Sequence, residues 1–289
     1  MTALRYEAPT SIDTATSLLA ENSKIAKVLA GGTDILVQMH SDMIEPELIV
    51  DIKNIPELNQ IHENDDGFRF GAAISGKELM KNKEFNAVWP GVMDGIKLIG
   101  SLQVRGRASV GGNLCNASPA ADSVPPMIAA AAIANIIGPK GNRDIPIEEI
   151  VVGPGKTSLA KGEIIVSFQL PNRPSNSGDA YLRFTPRTEM DIAVVGVAVN
   201  LTLDNKGICE SARVALGAVA PTPILDQKAA KSLIGTKVDD TALEELGIAV
   251  QASCSPIDDK RGTVEFRKDV VSVLAKRTAL IAKRRAEGS

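Results

Sequence analysis

Two stretches rich in glycine and small polar residues hold the chemistry this sequence offers. The first is Ala30-Gly31-Gly32-Thr33-Asp34, set between the apolar run AKVL and the run ILVQM. A strand that turns on two glycines into a helix start presents free backbone N–H groups, which suit an anion. A glycine pair is also ordinary turn punctuation. No G-x-G-x-x-G spacing accompanies it, so it is not a Rossmann dinucleotide site. The second stretch, SLQVRGRASVGGNLCNASPAAD, runs from Ser101 to Asp122. It holds no acid before Asp122, two arginines (Arg105 and Arg107), three glycines, and many Ala, Ser and Asn. Glycine lets backbone approach a ligand closely. Small hydroxyl and amide side chains add hydrogen bonds without bulk, and successive N–H groups can form an anion cradle. The pattern is that of a loop wrapped around a large polar ligand with phosphates. Asp122 reads equally well as a helix cap before Pro125-Pro126.

Other chemistry is poorly supplied. The histidines are His40 and His62, and neither stands in a pattern with an acid and a nucleophile. G-x-S-x-G, H-E-x-x-H and P-loop patterns are missing, so hydrolase and metal-enzyme readings have little behind them. Cys115, Cys209 and Cys254 are odd in number and widely spaced, which is no disulfide framework and no metal-ligand pattern. They read as reduced thiols of a cytoplasmic protein. A chain with glycine-bearing loops and few acid–base groups is what an enzyme looks like when its cofactor carries the chemistry. No catalytic side chain and no metal site are assigned.

The frame around these loops is a globular one. With 44% apolar and 23% charged residues in 289, a sizeable core spread over two or three units is expected. A net charge of −3 gives no electrostatic reason for a nucleic-acid or anionic-membrane partner, and 3% aromatics leave few stacking platforms. The opening MTALRYEAPTS shows no signal peptide, and no window is apolar enough for a membrane span.

In order, Ser11 caps a helix over SIDTATSLLAEN, AKVLA is a short strand, ILVQM a short helix and Leu48–Asp51 a strand. A hairpin follows over Ile61–Ala72, turning at Asn64-Asp65-Asp66-Gly67. SGKELMKN and FNAVWPGVMDGIKLIG read as helices, with Trp89 in the core. MIAAAAI is a buried helix begun by proline, GPKGNRDIP a turn, IEEIVVG a short helix and GEIIVSFQLP a strand. Pro171–Asp179 is the linker candidate. Beyond it, two long strands, DIAVVGVAVNLTL and CESARVALGAV, precede three amphipathic helices, the last ending in Lys and Arg.

Four segments also match a family. Ala30-Gly31-Gly32-Thr33-Asp34 with ILVQM resembles the first flavin loop of the medium, FAD-binding subunit of molybdenum hydroxylases, the xanthine dehydrogenase and carbon monoxide dehydrogenase family. Arg105 to Asp122 resembles the second flavin loop. RFTPRTEMDIAVVGVAV and DDKRGTVEFRKDVVSVLAKR are similar to the family's C-terminal domain. The resemblance covers the whole chain in the right order. It implies an α+β fold: a vanillyl-alcohol-oxidase-type FAD-binding region of two α/β subdomains (1–57 and 58–175), then an α+β C-terminal domain (176–289) with an antiparallel sheet.

By position, the resemblance places Ala30, Gly31, Gly32, Thr33 and Asp34 along the pyrophosphate and ribityl chain, with Ile35 beside them. Ser109, Gly111, Gly112 and Asn113 would cradle the phosphates and the adenosine side, next to Ala108. Asn116 and Asp122 would hydrogen-bond the dinucleotide, Asp122 at a ribose or the ribityl chain. Ile99, Ile164 and Ile165 would wall the rings. Arg183 falls where relatives have a lysine near the flavin, and Tyr181 is a candidate gate beside the isoalloxazine ring or a half-buried strand tyrosine. Arg187 reads as a structural ion-pair residue.

The implied function is an electron relay. The hydroxylation belongs to a molybdopterin-type cofactor in a large subunit, and two [2Fe–2S] clusters in a small subunit feed this chain's FAD. The flavin then passes electrons to an external acceptor such as NAD or a quinone. A dimerised heterotrimer is expected. Two alternatives stand beside it: a self-contained FAD oxidoreductase of the same superfamily, and a flavin-free structural adaptor.

Overall fold

The computed structural model describes residues 4–21 and 25–288. The first unit is a small parallel sheet. Strand β1 (Arg5–Glu7) leads to helix α1 (Ile12–Ala20), whose first turn is capped by Ser11 accepting from the Thr14 N–H. Then come β2 (Ala26–Leu29), α2 (Ile35–His40) and β3 (Leu48–Asp51), in the order β1-β3-β2 with both pairings parallel. In open sheets of this kind ligands sit beyond the carboxyl ends of the strands, and the Gly31-Gly32 turn leaves the carboxyl end of β2.

The second unit opens on the expected hairpin, β4 (Ile61–Asn64) and β5 (Gly67–Gly71), with Gly67 at φ +120° completing the turn. Four short helices follow: α3 (Gly76–Lys81), α4 (Lys83–Val88), α5 (Pro90–Ile96) and α6 (Leu102–Arg105). Asn82 cuts the helical run by capping α4, its side chain accepting from the Phe85 N–H, and Pro90 cuts it again because a proline disfavours helix in the residue before it. Helices α7 (Val110–Cys115) and α8 (Val124–Ala129) complete the set. The stretch from Ser101 to Asp122 is therefore not one open loop: α6 and α7 occupy much of it. Of the helix expected over MIAAAAI only Met127–Ala129 lies in α8, all six of whose residues are buried; Ala130–Ala132 turn out of the helix and Ile133 opens a strand.

Strands β6 (Ile133–Gly138) and β7 (Gly141–Pro146) pair antiparallel, so GPKGNRDIP, expected as a turn, is mostly strand β7 and only Pro139-Lys140 form the hairpin tip. The short helix expected over IEEIVVG is one 3₁₀ turn, followed by a small hairpin of β8 (Val151–Gly153) and β9 (Lys156–Thr157). Strand β10 (Ile164–Pro171) joins β5 to β6 at the centre of the sheet β4-β5-β10-β6-β7. Ile164 and Val166 of β10 also belong to the core under the parallel sheet, so one strand serves two cores.

The C-terminal unit is an antiparallel sheet of β11 (Ser177–Phe184), β12 (Val195–Leu203), β13 (Cys209–Gly217) and β14 (Ile224–Leu225). Helices α9 (Gln227–Leu233), α10 (Asp240–Ser253) and α11 (Val264–Ala286) lie against it. The fold is α+β, with the C-terminal antiparallel sheet implied by the resemblance. Among the described residues no helix is long and apolar enough to cross a membrane. Cys209 and Cys254 are buried, which pushes their thiols up to about 11 and about 12.

Candidate functional site

Two glycine-bearing segments, more than seventy residues apart, meet to form one open cleft of about 270 Å³. From the first, Gly31 approaches so near the second that a Cβ there would stand 2.1 Å from the Arg107 carbonyl oxygen. Gly32 takes φ +77°, a conformation that costs an L side chain energy but not glycine. The backbone N–H groups of Gly31, Gly32, Thr33 and Asp34 have no hydrogen-bond partner among the described residues. They are the donors a phosphate needs.

The second segment is arranged differently. The N–H of Gly111 donates to the Ala72 carbonyl at 3.1 Å, that of Gly112 to Ser109 Oγ at 3.1 Å, and that of Asn113 to the Ser109 carbonyl at 3.0 Å. Ser109 thereby caps α7, and its segment is stitched to the strand end before α3 by the Gly76 N–H donating to the Ala108 carbonyl at 2.8 Å. The backbone donors that the sequence suggested for an anion cradle at Gly111 and Gly112 are thus already bonded. Gly112 instead contributes space: a Cβ there would meet only Ser109 Oγ, at 3.1 Å.

The lining contains Ala30, Gly31, Gly32, Thr33, Asp34 and Ile35 from the first segment. Ala108, Ser109, Gly111, Gly112, Asn113 and Asn116 come from the second, and Ile99, Ile164 and Ile165 supply apolar wall. The sequence reading missed Lys27, Gln38, Ile44, Ile52, Leu159 and Glu163, which also face the cleft. Gln38 Nε2 donates to Asn116 Oδ1 at 3.3 Å, tying α2 to the end of α7. Burial pushes the Asp34 carboxyl up, whereas Arg143, at 2.6 Å, holds that of Glu163 below its usual range. Unbonded N–H donors beside isoleucine walls suit a ligand that joins phosphates to a flat apolar ring. Among the described residues no cluster of three or more His, Cys, Asp or Glu is placed to hold a metal.

Asp122, Tyr181 and Arg183 are not in this lining. They form a buried cluster of their own, where the turn before α8 meets β11. Asp122 Oδ1 accepts from the Tyr181 hydroxyl at 2.8 Å, and Oδ2 accepts from Arg183 Nη1 at 2.5 Å. Desolvation pushes the Asp122 carboxyl up to about 6 against the opposing pull of Arg183 and Tyr181. Tyr181 is buried, and its phenol is held well above its ordinary range by that burial and by Asp122. Arg187 pairs with Asp191 at 3.5 Å on the surface.

Residues 2–173 match the family described as the FAD binding domain in molybdopterin dehydrogenase. This chain belongs to that family. Residues 180–282 of the flavoprotein match the CO dehydrogenase flavoprotein C-terminal domain. It is 35% identical over 274 residues to a putative xanthine dehydrogenase FAD-binding subunit of Escherichia coli K12, covering 94% of this chain and 93% of that one. It is 31% identical to the carbon monoxide dehydrogenase medium chain of Afipia carboxidovorans, over 98% of this chain and 97% of that one. Among solved structures, reconstituted CO dehydrogenase from Oligotropha carboxidovorans superposes with a TM-score of 0.94 at 31% identity, with 98% of each chain covered. The flavoprotein is thus an FAD-binding oxidoreductase subunit of the xanthine dehydrogenase and CO dehydrogenase family, as its four motifs imply.

Proposed function

We propose that this chain is the electron-transfer subunit of a molybdenum hydroxylase complex. It takes electrons from [2Fe–2S] centres in a small subunit and passes them to an external acceptor such as NAD or a quinone. A large subunit with a molybdopterin-type cofactor selects and hydroxylates the substrate. The observation that carries the reading is the joint closure of the Gly31-Gly32 turn and the Ser109–Asn113 segment over one cleft. When bound, FAD supplies the redox chemistry and exchanges electrons singly or in pairs.

The chain's own residues bind and orient. In this reading the N–H groups from Gly31 to Asp34 hold the diphosphate, and Gly112 leaves room for close approach. Ile99, Ile164 and Ile165 exclude water from the ring, and Asn113 and Asn116 hydrogen-bond the dinucleotide. We assign Asp122, Tyr181 and Arg183 to the wall behind the second segment, as an ionic tie between it and the C-terminal sheet. A relay asks the protein only to position and tune its cofactor, so no side chain of the cleft is given the role of a catalytic base. Free thiols at Cys115, Cys209 and Cys254 fit a reducing, cytoplasmic setting.

Purification of the native complex tests this. The expected result is co-purification with a molybdenum-binding and an iron–sulfur subunit, and bleaching of the flavin when the complex turns over. A chain that purifies alone with FAD and its own substrate turnover would establish the self-contained oxidoreductase instead.

A further inference from the structure

The cleft lining holds an amide whose orientation is dictated from outside it. Asn113 Oδ1 accepts two hydrogen bonds from Ser123, one from the hydroxyl at 2.7 Å and one from the backbone N–H at 3.4 Å. A peptide N–H can only donate, so the side-chain atom facing it must be the oxygen. The amino group, Nδ2, has no hydrogen-bond partner among the described residues and is not sealed from solvent. Since Asn113 lines the cleft, its amino group is what the cleft receives.

Two prolines free Ser123 for this work. It stands at the N-cap of α8, where a serine ordinarily accepts from the N–H two or three residues on. Those residues are Pro125 and Pro126, which have no N–H. Its hydroxyl makes no cap and turns to Asn113 instead. Ser123 is fully buried and does not line the cleft. Because Gly111, Gly112 and Asn113 have spent their backbone N–H groups, the Asn113 amino group is a principal donor left to this segment.

We infer that Ser123 is a positioning residue for cofactor binding. It locks the Asn113 carboxamide with the amino group toward the cleft, so that Asn113 donates to an acceptor oxygen of the dinucleotide. The inference rests on the reading of the cleft as the FAD site.

The test is FAD titration of the flavin-depleted full chain, followed by flavin fluorescence, alongside thermal melts. Asn113→Asp is isosteric, and its carboxylate accepts the same two bonds from Ser123. It should melt like the wild type yet bind FAD roughly tenfold or more weakly, because an acceptor now faces the ligand. Ser123→Ala should weaken FAD about fivefold, the size of one neutral hydrogen bond. In an Asn113→Ala background, Ser123→Ala should weaken FAD no further, since its effect passes through Asn113. Wild-type affinity in Asn113→Asp, or an additive loss in the double variant, overturns the inference while leaving the FAD site standing. A wild-type chain that takes up no FAD overturns both.

Discussion

Gly31 and Arg107 pack backbone to backbone where the two halves of the cleft meet. A Cβ on Gly31 would lie 2.1 Å from the Arg107 oxygen and 2.6 Å from its carbonyl carbon. Neither atom belongs to a flexible side-chain end, so the segments themselves must part. Gly31→Ala is therefore expected to cost about 1–3 kcal/mol, as overpacking does, and to reduce bound FAD sharply. Thermal melting and flavin content of the purified variant check both effects. A variant with unchanged melting and full flavin would show that the contact is not structural.

Gly112 makes the opposite case. A Cβ there meets only Ser109 Oγ at 3.1 Å, and the position lies in α7, where replacing glycine relieves up to about 1 kcal/mol of unfavourable helix propensity. Gly112→Leu should fold with stability within about 1 kcal/mol of the wild type and yet retain no FAD, because its side chain occupies the cleft. The flavin content of the folded variant is the measurement. Full retention would remove Gly112 from the binding surface.

How much of this was legible in the sequence depends on the kind of constraint involved. Gly31 and Gly111 stand out because backbone contact forbids a side chain there, Gly32 because of its positive φ and Gly112 because the cleft needs the space, and each of these demands is written directly in residue type. Gln38 and Glu163 face the same cleft through the placement of α2 and β10, which no local spacing encodes. The β6–β7 hairpin hid behind glycine and proline, read as a turn although the flanking residues pair from Ile133↔Pro146 to Gly138↔Gly141. Asp122 and Arg183 are 61 residues apart, and their pairing depends on how β11 meets the turn before α8. Ser123 did carry a local signal that the sequence reading passed over: a good capping residue before two prolines has nothing to cap.

The buried Asp122 gives a pH dependence with a defined sign. Its carboxyl is raised to about 6 in the folded chain from an ordinary value near 3.8, so the folded state binds the proton more tightly than the unfolded one. This group's contribution is complete below about pH 4 and is lost as pH rises through about 6, a change of about 3 kcal/mol. Asp122→Asn does not titrate. The stability gap between wild type and Asp122→Asn should therefore narrow as pH goes from 4 to 7. Urea unfolding at several pH values measures it, and a gap that widens would reverse the assignment.

Within the same cluster the two donors are unequal. Arg183→Ala leaves Asp122 as an uncompensated buried charge and should cost about 3–5 kcal/mol. Tyr181→Phe removes one hydrogen bond and should cost about 1–2 kcal/mol. Both pairings are inward, at 2.5 and 2.8 Å. The tie predicts that both variants lose stability before they lose flavin, read by denaturant unfolding with and without added FAD. Equal costs would contradict the unequal donors, and loss of FAD without loss of stability would place these side chains at the cofactor.

The most direct measurement of the central claim is the visible spectrum of the purified full chain, with release of its cofactor on denaturation. A chain whose two distant glycine segments close over FAD will be yellow, absorb at roughly 450 nm, and release about one FAD per chain. A colourless chain that takes up no added FAD would contradict it.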